Sequence, residues 1–168
     1  MRDLFIDYSV RKLLQSFERI ESCLLALSDE QIWWRGAEMQ NSIANLMLHL
    51  CGNLAQWICA GVGGAPDTRQ RDEEFAARGA AGRDELLRRL RARVEDAVAV
   101  IGSVPEERLA ARIQPQLYEV SVLEAIYHAV EHFSHHTGQI IYATKLLTNR
   151  DLGFYKHLSA PAHREQTP

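Results

Sequence analysis

"HAVEHFSHHTGQ", residues 128–139, places four of the chain's seven histidines within nine positions. It lies inside a segment, Val122 to Leu147, where Leu123, Ile126, Val130, Phe133, Ile140 and Leu147 recur at three- and four-residue spacing. That period predicts an amphipathic helix, and Ser121 with Glu124 three residues on supplies a capping-box start. On the helical wheel His132 and His136 fall one turn apart beside the apolar face, so their rings can aim at one point. An i, i+4 histidine pair is a helical metal-ligand spacing. His128 extends the stripe, but at ~1.5 Å of rise per residue it sits about 12 Å along the axis from His136. One ion cannot bind all three. His128–His132 therefore competes with His132–His136, while His135 and Gln139 flank the stripe.

The same helical period runs outward through the chain. Apolar residues from Leu4 to Leu27 form a first long helix, and Ser28 with Gln31 caps a short helical turn near 29–35 that carries Trp33 and Trp34. A second long helix starts at Asn41 or Ser42 and ends in "GVGGAP" (61–66), where glycines and Pro66 stop it. The polar stretch "DTRQRDEEFAARGAAG" (67–82) reads as a long connector with one short turn. A third helix covers Arg83 to Ile101, and Pro105 and Pro115 punctuate the connector that follows. No alternating strand pattern stands out. The expected fold is all-α: a four-helix bundle with at least one crossover connection, occupying residues 1–155 as one domain. Residues 156–168 lose periodicity and read as a frayed tail.

A bundle metal site draws ligands from facing helices. Among the other three long helices the single histidine is His49, at the shoulder of the apolar face formed by Ile43, Leu46, Met47, Leu50, Leu54 and Trp57. It shares a polar stripe with Ser42, Asn45, Asn53 and Gln56. A histidine at the core's shoulder on two helices points to a three-histidine site, with Asn45, Asn53, Gln56, His135 and Gln139 as supporting or substrate-orienting groups and His128 as the alternative ligand. Glu124 and Glu131 fall on the far side of their helix from the histidine stripe, so no acid or base is assigned. Tyr127 and Tyr142 read as packing residues.

Composition narrows the rest. With 168 residues and 46% apolar content the chain can bury a core without staples. The net charge of −3 and the mixed signs around "RRLRAR" (88–93) argue against a nucleic-acid partner and for a solvated helix face. The first twenty residues lack a signal-peptide pattern, and no window is long and apolar enough to span a membrane. Cys23, Cys51 and Cys59 are odd in number and lack metal-binding spacing, which predicts reduced core thiols in a cytoplasmic protein. Cys51, two residues from His49, has the best claim to reactivity.

"NLMLHLCGNLAQW" in the second long helix and "EHFSHHTGQI" in the fourth resemble the DinB-like superfamily, also called the YfiT-like metal-dependent hydrolase fold. The likeness is nearest to its DUF1572 branch and extends over about residues 4–155, including "RDEEFAARG" and "LGFYKHL". The resemblance implies an up-down-down-up bundle binding a divalent metal through His49, His132 and His136, with His135 beside the second ligand but not coordinating. Gly138 and Gln139 match its "GQ" ending, where a small residue would allow close helix packing. Zinc suits that ligand set, with nickel, manganese or iron as alternatives. The activity the resemblance implies is a thiol S-transferase using a low-molecular-weight thiol on a small-molecule substrate, or else a hydrolase. A non-catalytic metal-binding or stress-associated helical bundle module is the third outcome. Relatives of this kind pair into homodimers, for which Trp33 and Trp34 offer a surface if they do not cap the bundle.

Overall fold

The structure, a computed structural model, describes residues 1–159. Its helices are α1 (Arg2–Leu25), α2 (Asp29–Trp33), α3 (Ile43–Leu54), α4 (Arg71–Ala76), α5 (Arg83–Ser103) and α6 (Val122–Thr148). Serine fixes three of the starts. Ser28, Ser42 and Ser121 each accept from the backbone N–H three residues on, and Gln31, Asn45 and Glu124 reach back in complete capping boxes. Asn149, in the left-handed region with φ 51°, ends α6 by donating its N–H to Lys145.

α1 and α3 each pack on both α5 and α6, so α1 and α3 occupy one diagonal of the bundle and α5 and α6 the other. Individual contacts set the directions. Arg2 reaches the carbonyls of Gly102 and Val104 while Arg83 reaches that of Leu27, so α1 and α5 are antiparallel. Arg93 touches Cys59, and Val100 lies against Gly63, so α3 and α5 run in parallel. His49 meets His132 and Trp57 meets His128, which makes α3 and α6 antiparallel. The order is therefore up-down-down-up. Ile20, Leu24, Met47, Leu50, Leu54, Leu90, Ile101, Ile126 and Phe133 fill the interior.

Two local features depart from the sequence reading. α3 continues as a π-helix over Ala55–Val62, closed by Gly63 N–H donating to the Ile58 carbonyl at 2.8 Å. Apolar spacing carries no mark of that wider turn, because Trp57, Ile58 and Val62 remain buried on either winding. Gly63 is needed there, since a Cβ would collide with the Cys59 carbonyl and the Val100 side chain. The second departure is a two-residue antiparallel pair, Arg112–Ile113 with Val120–Ser121, too short to leave an alternation. Between its strands, Gln116 and Leu117 take φ of 51° and 69°. These are costly conformations for non-glycine residues, and here the Gln116 Oε1 accepts from Trp57 Nε1 at 3.2 Å.

The 63–82 connector returns along α3, because parallel neighbours require a crossover. Gln56 donates to Asp67, Asn45 donates to the carbonyls of Glu74 and Ala77, and Trp33 Nε1 donates to the Ala81 carbonyl. Its one helical turn is α4. Of the expected tail, Lys156–Ser159 form a 3₁₀ turn; residues 160–168 lie outside the described residues. The arginines of 88–93 are held by acids of the same chain: Arg88 and Arg89 by Glu85, Arg91 by Glu21 and Arg93 by Asp96. Among the described residues no helix is long and apolar enough to cross a membrane.

Candidate metal centre

His49 leaves α3 at its midpoint and is 5% exposed, while His132 and His136 leave successive turns of α6 and are half-buried. One ligand atom from each lies within 4.8 Å of the others. The Nε2 atoms of His49 and His132 are 2.9 Å apart, and the His136 ring stands edge-on to both, with centroids 5.0 and 4.4 Å away. A tetrahedral ion bound at about 2.0–2.1 Å per imidazole needs nitrogens roughly 3.4 Å apart. The His49–His132 pair lies slightly inside that spacing, and all three ligand atoms lie within 4.8 Å of one another.

The remote nitrogens decide which tautomer faces inward. His49 Nδ1 lies 2.9 Å from Glu74 Oε2, and a carboxylate accepts only, so Nδ1 carries the proton and Nε2 is left bare. His136 Nδ1 lies 2.6 Å from Gln139 Oε1, and the same logic leaves its Nε2 as the donor atom for an ion. A ligating histidine fixed this way through its other nitrogen is the usual supporting arrangement of metal sites. Burial, the neighbouring imidazoles and the Arg69 charge push His132 down to about 3, and burial likewise lowers His136. Both rings are therefore neutral at physiological pH, the form that binds metal. Across the 2.9 Å contact a bare His49 Nε2 accepts from His132 Nε2, whose proton an incoming ion would displace; the donor set itself fits a divalent ion.

Glu74 is itself held. Arg69 clasps it through Nε to Oε1 at 2.8 Å and Nη2 to Oε2 at 2.9 Å. Burial alone would raise its carboxyl, but the bonds from Arg69 and His49 and the Arg69 charge outweigh burial and hold it below the ordinary carboxylate range. Arg69 Nη2 also lies 3.0 Å from His49 Nδ1; with a proton on that nitrogen the guanidinium serves Glu74. Gly52, one turn after His49, makes the approach feasible, since a Cβ there would overlap the Glu74 carboxylate. Glu74 and Arg69 were not singled out from the sequence. They sit in the charged connector among Asp72 and Glu73, and no spacing distinguishes the one acid that turns inward.

The remaining expected residues separate. His128 does not join the three; its ring packs against Trp57 at a 36° tilt, with centroids 3.9 Å apart. His135 is exposed beside His136. Asn45 is engaged by the connector, Gln56 accepts from Nη1 of the Arg69 that clasps Glu74, and Asn53 is buried in the same stripe. Several readings are corrected. Glu131, placed on the far side by the wheel, lines a shallow depression of about 380 Å³ with His128, His132, His135 and His136, because it lies three residues from His128 and four from His135 and so shares their flank of the helix. Tyr127 and Tyr142 are exposed, at 61% and 72%, so they pack no core. Gly138 is exposed and a Cβ there would meet open space, so it permits no close helix approach. Cys51 is pushed up to about 12 by burial, so its thiol stays protonated.

The bundle shares the fold of solved proteins described as DinB-like. The chain belongs to the DUF1572 family, a family described as of unknown function, whose match covers residues 3–164. No curated protein matches the sequence. Similar solved structures include a conserved protein from Enterococcus faecalis (21% identity, TM-score 0.72, covering 86% of this chain and 97% of that one). A DinB-like protein from Bacillus subtilis is 18% identical with TM-score 0.66, covering 88% and 97% respectively. A mutant of a mycothiol-dependent maleylpyruvate isomerase is 12% identical with TM-score 0.61, covering 80% of this chain and 60% of that one. At these identities the likeness is one of fold.

Proposed function

We propose that the chain binds a divalent metal through His49, His132 and His136 and works as a metal-dependent thiol S-transferase on a small electrophilic substrate. The observation that carries the reading is the convergence of three imidazoles from two helices, two of them fixed through their outer nitrogens by Glu74 and Gln139. A bound ion with open positions would lower the pKa of a thiol or a water placed there. The chain's own residues would orient the imidazoles and keep the inner side of the site dry, with His49 almost fully covered. The thiol requirement named for the maleylpyruvate isomerase neighbour favours sulfur chemistry. The Glu131 carboxylate at the rim of the depression favours a second reading, metal-dependent hydrolysis, in which it would take the proton of an attacking water.

Untagged protein loaded with zinc, nickel, manganese or iron in turn separates these readings. We expect one equivalent of metal, lost in His132→Ala, and metal-dependent consumption of thiol when cellular thiols are mixed with chlorodinitrobenzene. There the sulfur displaces chloride from the ring carbon, and the thiol proton passes to solvent. Metal binding with ester cleavage but no thiol transfer, abolished by Glu131→Gln, would select the hydrolase. Protein that takes up no stoichiometric metal would sink both.

A further inference from the structure

One turn beyond His136 along α6, a groove of about 470 Å³ opens between that helix and the loop joining α2 to α3. Gln139, Tyr142 and Leu146 form one wall, and Trp34, Arg35 and Gln40 the other. Trp34 is 47% exposed, Tyr142 72% and Leu146 62%, so this apolar surface is not part of the core. The two tryptophans of "QIWWR" thus divide the tasks weighed from sequence. Trp33 closes the bundle end through Ala81, and Trp34 faces the groove.

The charge at the groove is unbalanced. Arg35 donates from Nη2 to the Asn45 Oδ1 at 2.7 Å and the Phe75 carbonyl at 3.2 Å, and from Nη1 to the Glu38 carbonyl at 3.4 Å. All are neutral acceptors, and its Nε is buried with no acceptor. The neighbouring Arg78 likewise ends on carbonyls, those of Phe75 and Ala77. Among the described residues neither guanidinium has a carboxylate partner. At the opposite end, Gln139 lines the groove and also accepts from His136 Nδ1. An occupant would therefore touch the cation at one end and a residue in contact with the histidine centre at the other.

We propose that this groove binds the organic part of the substrate, a small monocarboxylate with an aromatic or aliphatic body. The inference rests on the metal-centre reading, to which it adds the substrate class. With Nη2 taken up by Asn45 and Phe75 and Nε buried, the guanidinium meets an anion through Nη1, in a single charge-assisted hydrogen bond. One such group lines the groove, which suits a single negative charge better than a polyphosphate. The ligand's body lies against Trp34 and Tyr142, and its far end points toward the histidines.

The test is a fluorescence and NMR titration of full-length protein, with and without zinc, using 3-phenylpropionate, 3-phenylpropanol and 3-phenylpropylamine. We expect the carboxylate to bind about tenfold more tightly than the alcohol, and the amine most weakly, as for a charge-assisted contact. The carboxylate should also shift the His136 ring resonances. Tyr142→Ala, at an exposed position, should weaken all three ligands. Arg35→Gln with unchanged melting temperature should abolish the preference for the anion, because the positive charge that the carboxylate meets is gone. Equal affinities for the three probes, or no binding at millimolar concentration, overturns the proposal even if zinc is bound. Carboxylate binding to zinc-free protein supports the groove whether or not the metal reading survives. Concentration-dependent dimerisation that buries Trp34 and excludes the probes would assign the groove to a second copy and overturn it.

Discussion

At the scale of single residues, the site depends on a carboxylate that ligates nothing. Glu74 fixes the His49 tautomer, and Arg69 fixes Glu74. Replacing Glu74 by Gln keeps an acceptor oxygen but removes the charge. Zinc affinity, read by competition with a chromophoric chelator, should fall about 10- to 100-fold, the usual scale for such supporting groups. The metal-free fold should weaken by about 3 kcal/mol in urea unfolding, because the Arg69 guanidinium, 3% exposed, loses its counter-charge. Pairing Glu74→Gln with Arg69→Met should restore stability but not affinity. Recovery of both would show that Glu74 serves the fold alone.

At the scale of elements, the polar stripe of α3 is the seat of the connector. Asn45 binds Ser42, Arg35 and three connector carbonyls through one amide. Each lost buried hydrogen bond costs about 1 kcal/mol. Asn45→Ala should therefore raise the rate of tryptic cleavage after Arg71 and Arg78 by about tenfold, while far-UV circular dichroism stays helical. Unchanged cleavage would mean that the connector is held elsewhere. The contrast explains how far the sequence could be read. The four long helices, the Ser28 and Ser121 capping boxes and a histidine pair set against His49 follow from period and spacing, because a helix imposes a repeat on whatever it buries; the choice of His136 over His128 rests on the family resemblance. The use of Ser42, Asn45 and Gln56 does not follow, since a polar stripe looks the same whether it faces substrate or backbone. The π-turn at Ala55–Val62 and the inward rotation of Glu74 arise from tertiary contact, with Gly63 against Val100 and Gly52 against Glu74.

At the scale of the whole molecule, crowding three imidazoles into one site links stability to pH. His132 in the fold is pushed down to about 3, whereas an unfolded histidine titrates near 6.5. Between those values the unfolded chain binds the extra proton, so the metal-free protein should lose stability as pH falls from about 6.5 toward 3. Glu74, lowered in the fold, contributes stability above the ordinary glutamate range that is lost at still more acid pH. Urea midpoints of metal-free protein at pH 7, 6 and 5 should decline steadily. His132→Asn should flatten the upper part of that decline, and an unaltered slope would refute the link.

The up-down-down-up order also bears on how quickly the protein reaches its native state. α1 and α3 face each other across one diagonal and α5 and α6 across the other, while α3 and α5, although adjacent, run the same way. No two successive long helices can therefore zip together as an antiparallel hairpin, the fast local route open to simpler bundles. Distant segments must be brought together first, and the associated entropy is lost before any packing rewards it. Folding in stopped-flow mixing should accordingly be slower than for an up-and-down bundle of equal length and stability. The histidine trio brings together residues 83 positions apart, so an ion could recognise the chain only after that search had ended.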